Sequence, residues 1–175
     1  RCIELKERLG FVDARVVLIT NATGFDRPDV RHGLEFMDQH NGEIWAKLDA
    51  GTPEYFKLID NTDFPFEKVL GNIADAARAR PLVIQSCFMR VKGVPPSADE
   101  ITAFVARLKE FISQGAKIKL VQIYTVARDP AYSIVSSLND DEVDQIAVRV
   151  RSETGLPAQS FYGHVPEGRG LMDTN

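Results

Sequence analysis

The segment LVIQSCFM, residues 82–89, is apolar at six of its eight positions and carries no charged side chain. Near-continuous apolarity of this kind is typical of a strand that is covered on both faces of a parallel sheet. Four other runs share its richness in β-branched and aromatic residues: ARVVLIT (14–20), EIWAKL (43–48), IKLVQIYTV (118–126) and AQSFYG (158–163). We therefore predict five parallel strands.

The segments between these runs have the apolar spacing of amphipathic helices. They are residues 27–41, 64–80, 97–115 and 139–155, and a further helix is predicted over residues 1–9. Ser97 and Glu100 have the spacing of a capping box, which predicts the start of the helix in 97–115. Thr52, Pro53 and Glu54 indicate another helix start after the second strand.

Alternating strands and helices predict an α/β fold with a parallel sheet and right-handed crossovers. A closed eight-stranded barrel usually takes about 250 residues, whereas this chain has 175. We therefore expect a partial, TIM-barrel-like (β/α) barrel or a small open sheet. The chain begins inside a predicted helix that has no strand of its own, so we expect a longer parent protein and a barrel incomplete at its N-terminal side. Residues 1–163 would form this domain and residues 164–175 a flexible tail.

Composition indicates an ordinary soluble protein. The net charge is −4, with 44% hydrophobic and 26% charged residues, so no general electrostatic attraction draws the chain to nucleic acid or anionic membranes. No apolar run approaches the ~20 residues that span a bilayer. Cys2 and Cys87 are too few and too far apart for a disulfide framework or a metal site. We expect a cytoplasmic protein with no membrane partner and no metal ligands in this chain.

Polar residues follow four of the predicted strands, at the point where each strand ends. They are Thr20 and Asn21, Lys47 and Asp49, Arg90 and Lys92, and Tyr124 and Thr125. Because ligands of parallel α/β folds gather at the carboxyl ends of the strands, these residues predict a shared site. Each also has a structural interpretation, since Asn21 could start a turn and Asp49 could cap the next helix. Residue patterns alone indicate only a pocket that tolerates phosphate or a nucleotide.

Four segments, taken in order, resemble the radical S-adenosylmethionine superfamily. They are LITNATGFDRPDVRHGL (18–34), WAKLDAGTPEYFKLID (45–60), FMRVKGVPP (88–96) and VQIYTVARDP (121–130). The resemblance covers about residues 14–163 and is greatest to the Fe–S oxidoreductase branch, whose relatives include the wyosine-type tRNA-modifying proteins. It implies that the chain holds the third to sixth strands of a six-stranded partial barrel, with a closing segment.

The resemblance also implies a cofactor, S-adenosylmethionine, and the residues that would bind it. Asn21, Lys47, Asp49 and Arg90 would lie near its ribose and carboxylate, and Tyr124 and Val126 near its adenine. Thr20 is a further residue that would bind the cofactor. The substrate is unknown, and family analogy makes tRNA one candidate.

Two family features are missing. The CxxxCxxC loop, whose thiolates hold a [4Fe–4S] cluster in the parent family, does not occur in this sequence, and neither does the glycine-rich strand that binds the methionyl amine. Cys2 and Cys87 cannot replace three converging thiolates. We therefore predict a fragment of a radical S-adenosylmethionine enzyme that is inactive alone.

Two other functions stay open on the sequence. The chain could be a small α/β module that binds a nucleotide or an anion without redox chemistry. It could also be a barrel enzyme that uses Lys47 as a Schiff-base nucleophile, although Asp49 nearby would keep this lysine protonated. If the chain is a fragment, its first strand has lost a neighbour, so we expect self-association through the exposed edge of the sheet, or a mispacked first helix over it.

Overall fold

A computed structural model describes residues 1–11 and 13–163 of the chain. Its helices are α1 (Cys2–Arg8), α2 (Pro28–Gln39), α3 (Pro53–Asp60), α4 (Phe66–Ala79), α5 (Ala98–Ser113) and α6 (Asp140–Thr154). Its strands are β1 (Val16–Thr20), β2 (Gly42–Lys47), β3 (Leu82–Cys87), β4 (Met89–Val91), β5 (Ile118–Tyr124), β6 (Val135–Ser137) and β7 (Ala158–Phe161). The predicted flexible tail, 164–175, lies outside the described residues.

Five strands form one sheet in the order β1-β2-β3-β5-β7, and every neighbouring pair is parallel. These are the five strands predicted from the sequence, so the predicted α/β class with a parallel sheet is confirmed. The spatial order follows the chain order, and right-handed crossovers then place the connecting helices on the same face. A singly wound sheet of this kind has the arrangement of a partial (β/α) barrel, with a helix-covered outer face and a concave inner face.

The two faces differ in their side chains. On β2, Ile44 and Ala46 are buried against the helices, whereas Trp45 and Lys47 alternate with them and are only partly buried. The main core lies between the sheet and the helices and contains large, fully buried side chains such as Ile84, Phe104, Leu108 and Ile123. The inner face therefore carries more polar groups than the outer one.

Two strands were not predicted. The runs 82–89 and 118–126 leave the sheet early, at Cys87 and Tyr124, and the chain beyond each joins a separate ribbon. In this ribbon β4 pairs antiparallel with β6, so that Arg90 lies opposite Ser136. Each ribbon strand has three residues, too short to give a periodic signal in the sequence.

The capping box predicted at the start of α5 forms only in part. Ser97 caps α5 by accepting a hydrogen bond from the Glu100 amide (3.1 Å), as predicted. The Glu100 carboxylate does not complete the capping box, because it accepts hydrogen bonds from the Gly51 amide and the Thr52 hydroxyl. Glu100 thus ties α5 to the loop after β2. None of the helices described here combines the length and the apolar composition that a bilayer-spanning helix needs.

Candidate functional site

Lys47, Asp49 and Tyr124 meet at the carboxyl edge of the sheet. The Lys47 ammonium donates to the Tyr124 hydroxyl (2.7 Å) and to Asp49 (2.9 Å to Oδ2). Asp49 Oδ1 accepts a hydrogen bond from the Cys87 amide (2.7 Å). These contacts join the ends of β2, β3 and β5. The parallel register produces them, because it sets Cys87 beside Tyr124 and Lys47 beside Gln85.

Asp49 and Lys47 form a largely buried ion pair. Asp49 is 4% exposed, and the Lys47 side chain is 29% exposed. Burial raises the pKa of the Asp49 carboxyl, and the Lys47 charge and the Cys87 amide oppose that rise. Burial alone would lower the pKa of Lys47, but the Asp49 charge and the Tyr124 hydrogen bond raise it above its usual value. Lys47 therefore stays protonated, which makes it a poor Schiff-base nucleophile.

The hydrogen bond from Lys47 leaves the Tyr124 hydroxyl free to act as a donor. An ammonium group can only donate hydrogen bonds, so the Tyr124 oxygen accepts from Lys47. The hydroxyl hydrogen of Tyr124 is then left to donate to the Cys87 sulfur or to a ligand. Burial, with help from Cys87 and Asp49, raises the pKa of Tyr124 to about 12, so the hydroxyl keeps its hydrogen at neutral pH.

The inner face of the sheet continues this polar surface. Gln85 on β3 donates to the side chain of Gln122 on β5 (3.1 Å). Trp45 on β2 has a buried indole N–H that finds no partner among the described residues. These three residues were not predicted from the sequence to lie at the site, because each lies inside a strand and not at its end.

A small cavity of about 90 Å³ opens beside the ion pair. Its polar lining comes from the ends of β1, β2 and α3 and consists of Asn21, Thr23, Lys47, Asp49, Asp60 and Thr62. Asp60 Oδ2 is buried and has no hydrogen-bond partner among the described residues. Burial and the nearby Asp49 charge raise the pKa of Asp60 to about 6, against the effect of Lys47. Asp60 was not predicted from the sequence, because it is the last residue of a helix.

The other residues predicted for the site have structural contacts. Thr20 Oγ1 accepts from the Ala22 amide (3.1 Å), and Asn21 Oδ1 accepts from the Thr23 amide (3.3 Å), so Asn21 does start a turn while it lines the cavity. Asp49 does not cap α3, since Thr52 does.

Arg90 and Val126 are placed apart from these contacts. Arg90 lies on β4, and its guanidinium pairs with Glu142 of α6 (2.5 Å). Val126 follows β5, and its carbonyl packs so closely on Gly163 that a Cβ there would lie 2.0 Å from the oxygen. Among the described residues, no hydrogen bond or ion pair joins Arg90 to Lys47, Asp49 or Tyr124. The structure therefore brings together Asn21, Lys47, Asp49 and Tyr124, but not Arg90.

Comparison with known proteins supports the architecture. No protein-family model matches the chain, and no curated protein sequence matches it. The fold is similar to the crystal structure of a radical SAM methyltransferase from Sphaerobacter thermophilus, with a TM-score of 0.58 and 13% sequence identity. The superposition covers 83% of this chain and 40% of that chain, so this chain spans less than half of that protein. At this identity the likeness shows a shared fold.

Proposed function

We propose that this chain forms part of the S-adenosylmethionine-binding edge of a radical S-adenosylmethionine enzyme of the Fe–S oxidoreductase type. The observation that carries the proposal is the Lys47–Asp49–Tyr124 cluster, built from three strand ends at the carboxyl edge of a singly wound parallel sheet. Ligands of such sheets bind at this edge. The fold shared with a radical SAM methyltransferase gives independent support.

The polar groups at this edge are suited to an adenosyl amino acid. Tyr124 offers a hydroxyl donor, and Asp60 offers a carboxylate acceptor. When bound, S-adenosylmethionine supplies the adenosyl group that radical chemistry uses. The cavity of about 90 Å³ is smaller than the ~300–1,000 Å³ of whole-ligand pockets. It would hold one end of the ligand, with the rest lying along the inner face near Gln85 and Gln122.

The described residues do not fit a [4Fe–4S] cluster. Such clusters are held by several converging cysteine thiolates, but Cys2 is exposed on α1 and Cys87 is buried on β3. Within residues 1–11 and 13–163, no group of three His, Cys, Asp or Glu side chains could hold a metal ion. Burial also raises the pKa of the Cys87 thiol to about 12, which disfavours the thiolate.

Ligand binding tests the proposal. Isothermal titration calorimetry should detect binding of S-adenosylhomocysteine and 5′-methylthioadenosine, whereas inorganic phosphate should not bind, because Asp49 neutralises Lys47. Tyr124→Phe removes only the hydroxyl and should weaken binding of an adenosyl ligand by about fivefold, the value of one hydrogen bond. Tyr132→Phe is the matched control, since Tyr132 is exposed. Failure of the folded wild type to bind either adenosyl compound would overturn the proposal.

Iron–sulfur reconstitution tests the statement that this chain cannot hold a [4Fe–4S] cluster by itself. After anaerobic reconstitution with iron and sulfide, we expect no stable iron–sulfur absorption from this chain, because it lacks a converging set of thiolates. A stable cluster, retained after desalting and lost in Cys87→Ser, would contradict this expectation.

Family analogy also suggests tRNA as the substrate of the parent protein, and a gel-shift titration with tRNA would test that suggestion.

A further inference from the structure

Two exposed asparagines stand in the left-handed backbone region at the end of a helix. Asn41 (φ +56°) follows α2 and its C-cap His40, and Asn61 (φ +45°) is the C-cap of α3. Asparagine tolerates this backbone conformation better than most residues, which explains the residue type at both positions. The two sites differ in the residue that follows, which is Gly42 after Asn41 and Thr62 after Asn61.

The fold requires glycine at position 42, the first residue of β2. A Cβ atom there would lie 2.6 Å from the Met37 carbonyl oxygen and 2.8 Å from the Met37 Cβ. Because Met37 belongs to the last turn of α2, its backbone cannot move aside at low cost. The turn from α2 into β2 therefore favours asparagine at position 41 and requires glycine at position 42.

An asparagine followed by glycine is well suited to an intramolecular reaction. The backbone nitrogen of the second residue can attack the side-chain carbonyl carbon of the first and close a succinimide ring. Glycine leaves this nitrogen unshielded and its own dihedral angles free, whereas the β-branched Thr62 after Asn61 crowds and stiffens the chain. Among the described residues, the Asn41 side chain makes one hydrogen bond, from Nδ2 to the Asp13 carbonyl oxygen (3.3 Å). A long hydrogen bond at the surface holds the side chain weakly.

We propose that Asn41 is a site of spontaneous deamidation in the folded protein. The Gly42 nitrogen attacks Asn41 Cγ, the bond between Cγ and Nδ2 breaks, and ammonia leaves with the amide hydrogen of Gly42. Water then adds to one of the two ring carbonyls and breaks its bond to the Gly42 nitrogen, which regains a hydrogen. Opening at Cγ gives aspartate, and opening at the main-chain carbonyl gives isoaspartate. Water is the co-reactant, and no group is oxidised or reduced.

The reaction changes the amino end of β2. Either product adds a negative charge before this strand. Isoaspartate also inserts an extra carbon atom into the main chain, directly before a strand that pairs with both β1 and β3. This end of the sheet lies opposite the Lys47–Asp49–Tyr124 cluster, so the inference does not depend on the proposed function.

Peptide mapping of the folded protein tests the site. Trypsin releases residues 32–47 and 58–68, and each of these peptides contains a single asparagine. After incubation at neutral pH and body temperature, mass spectrometry should show Asn41 converted about tenfold or more faster than Asn61. Both aspartate and isoaspartate should appear at position 41, because the succinimide opens in two ways. In Asn41→Gln, the peptide 32–47 should stay unmodified.

Thr62→Gly is the matched variant, because it places an Asn-Gly pair at the second left-handed position. We expect conversion of Asn61 to rise by about tenfold in this variant, and the absence of a rise would contradict the role given to glycine. Equal rates at Asn41 and Asn61 in the wild type, or aspartate without isoaspartate at position 41, would overturn the proposal. Conversion of Asn41 only after unfolding in urea would overturn it too, since the fold would then protect the site.

Discussion

Asp49 is the residue on which the Lys47–Asp49–Tyr124 cluster depends. Its carboxylate is buried and accepts hydrogen bonds from Lys47 and from the Cys87 amide, so it links two strands through its side chain. Removing one partner of a buried ion pair leaves the other charge uncompensated, and this typically costs about 3–5 kcal/mol. The pair therefore has a role in stability as well as in the proposed site.

Lys47→Met should lower the free energy of unfolding by about 3–5 kcal/mol, because it leaves the buried Asp49 carboxylate without its cationic partner. Urea denaturation would measure this loss. Lys57→Met is the control: Lys57 pairs with Asp63 on the surface, where such a pair is worth at most about 1 kcal/mol. In the double variant Lys47→Met, Asp49→Leu, we expect partial recovery. Equal effects of the two single variants would contradict the buried-pair interpretation.

Asp60 should make stability depend on pH. Its folded-state pKa, about 6, lies above the unfolded value near 3.9. The group therefore contributes stability that is fully present below about pH 4 and is lost as the pH rises through about 6. Asp60→Asn, which mimics the protonated acid, should be more stable than the wild type at about pH 8 and similar to it at about pH 4. A stability difference between Asp60→Asn and the wild type that stays constant from about pH 4 to about pH 8 would contradict a raised pKa for Asp60.

The site residues that could be predicted from the sequence are those that stand at the ends of strands. Lys47, Asp49 and Tyr124 were predictable because parallel strands bring their ends to one edge. Asp60 was not, since its role depends on how α3 packs over the cavity. Arg90 was also predicted to lie in the cofactor site. It stands on the β4–β6 ribbon and pairs with Glu142, and its part in a cofactor site stays a prediction.

At the scale of elements, α5 fixes the loop that follows Asp49. Gly51 packs against the helix backbone so tightly that a Cβ would lie 2.0 Å from the Phe104 nitrogen. Its amide and the Thr52 hydroxyl both donate to the buried Glu100. The helix therefore holds the β2–α3 connection and, through it, the position of Asp49.

Gly51→Ala should destabilise the protein by about 1–3 kcal/mol or more, because the helix backbone cannot move aside at low cost. Gly33→Ala is the matched control: a Cβ there meets nothing within 4 Å, and alanine inside α2 should add about 0.5–1 kcal/mol of stability. Thermal unfolding of both variants checks the pair. A stabilising effect of Gly51→Ala would show that the loop does not pack on α5.

The elements themselves were largely predictable. Five apolar runs gave the five strands of the sheet because each is long enough to show its burial in its composition. The β4–β6 ribbon was not predicted, since its pairing joins residues such as Arg90 and Ser136 that are far apart in the chain. The Glu100 carboxylate was expected to complete a cap, but tertiary contacts with Gly51 and Thr52 took its place.

At the scale of the whole molecule, β1 is an edge strand without the usual protection. It pairs with β2 on one side, and no described strand pairs with its other side. Val17, Leu18 and Ile19 are 39%, 38% and 53% exposed, and the strand contains no charge and no proline. Edges of this kind invite pairing with another chain.

We therefore expect concentration-dependent self-association of this chain through β1. Ile19→Lys should shift the equilibrium toward monomer in sedimentation velocity experiments, because a charged side chain opposes edge pairing. Val148→Lys is the control, since Val148 on α6 is similarly exposed (52%) but lies far from this edge in the order of elements. A wild type that is monomeric at all concentrations, or a control as effective as Ile19→Lys, would contradict the edge interpretation.

The most direct test of the proposed function is to locate the ligand on the protein. In a ¹⁵N-labelled sample titrated with S-adenosylhomocysteine, the largest amide shifts should fall at the carboxyl ends of the strands, at Asp49, Cys87 and Tyr124. Saturable shifts there would support the proposal. Shifts that instead cluster at the opposite end of the sheet, near Glu43 and Lys119, or no shifts at all, would contradict it.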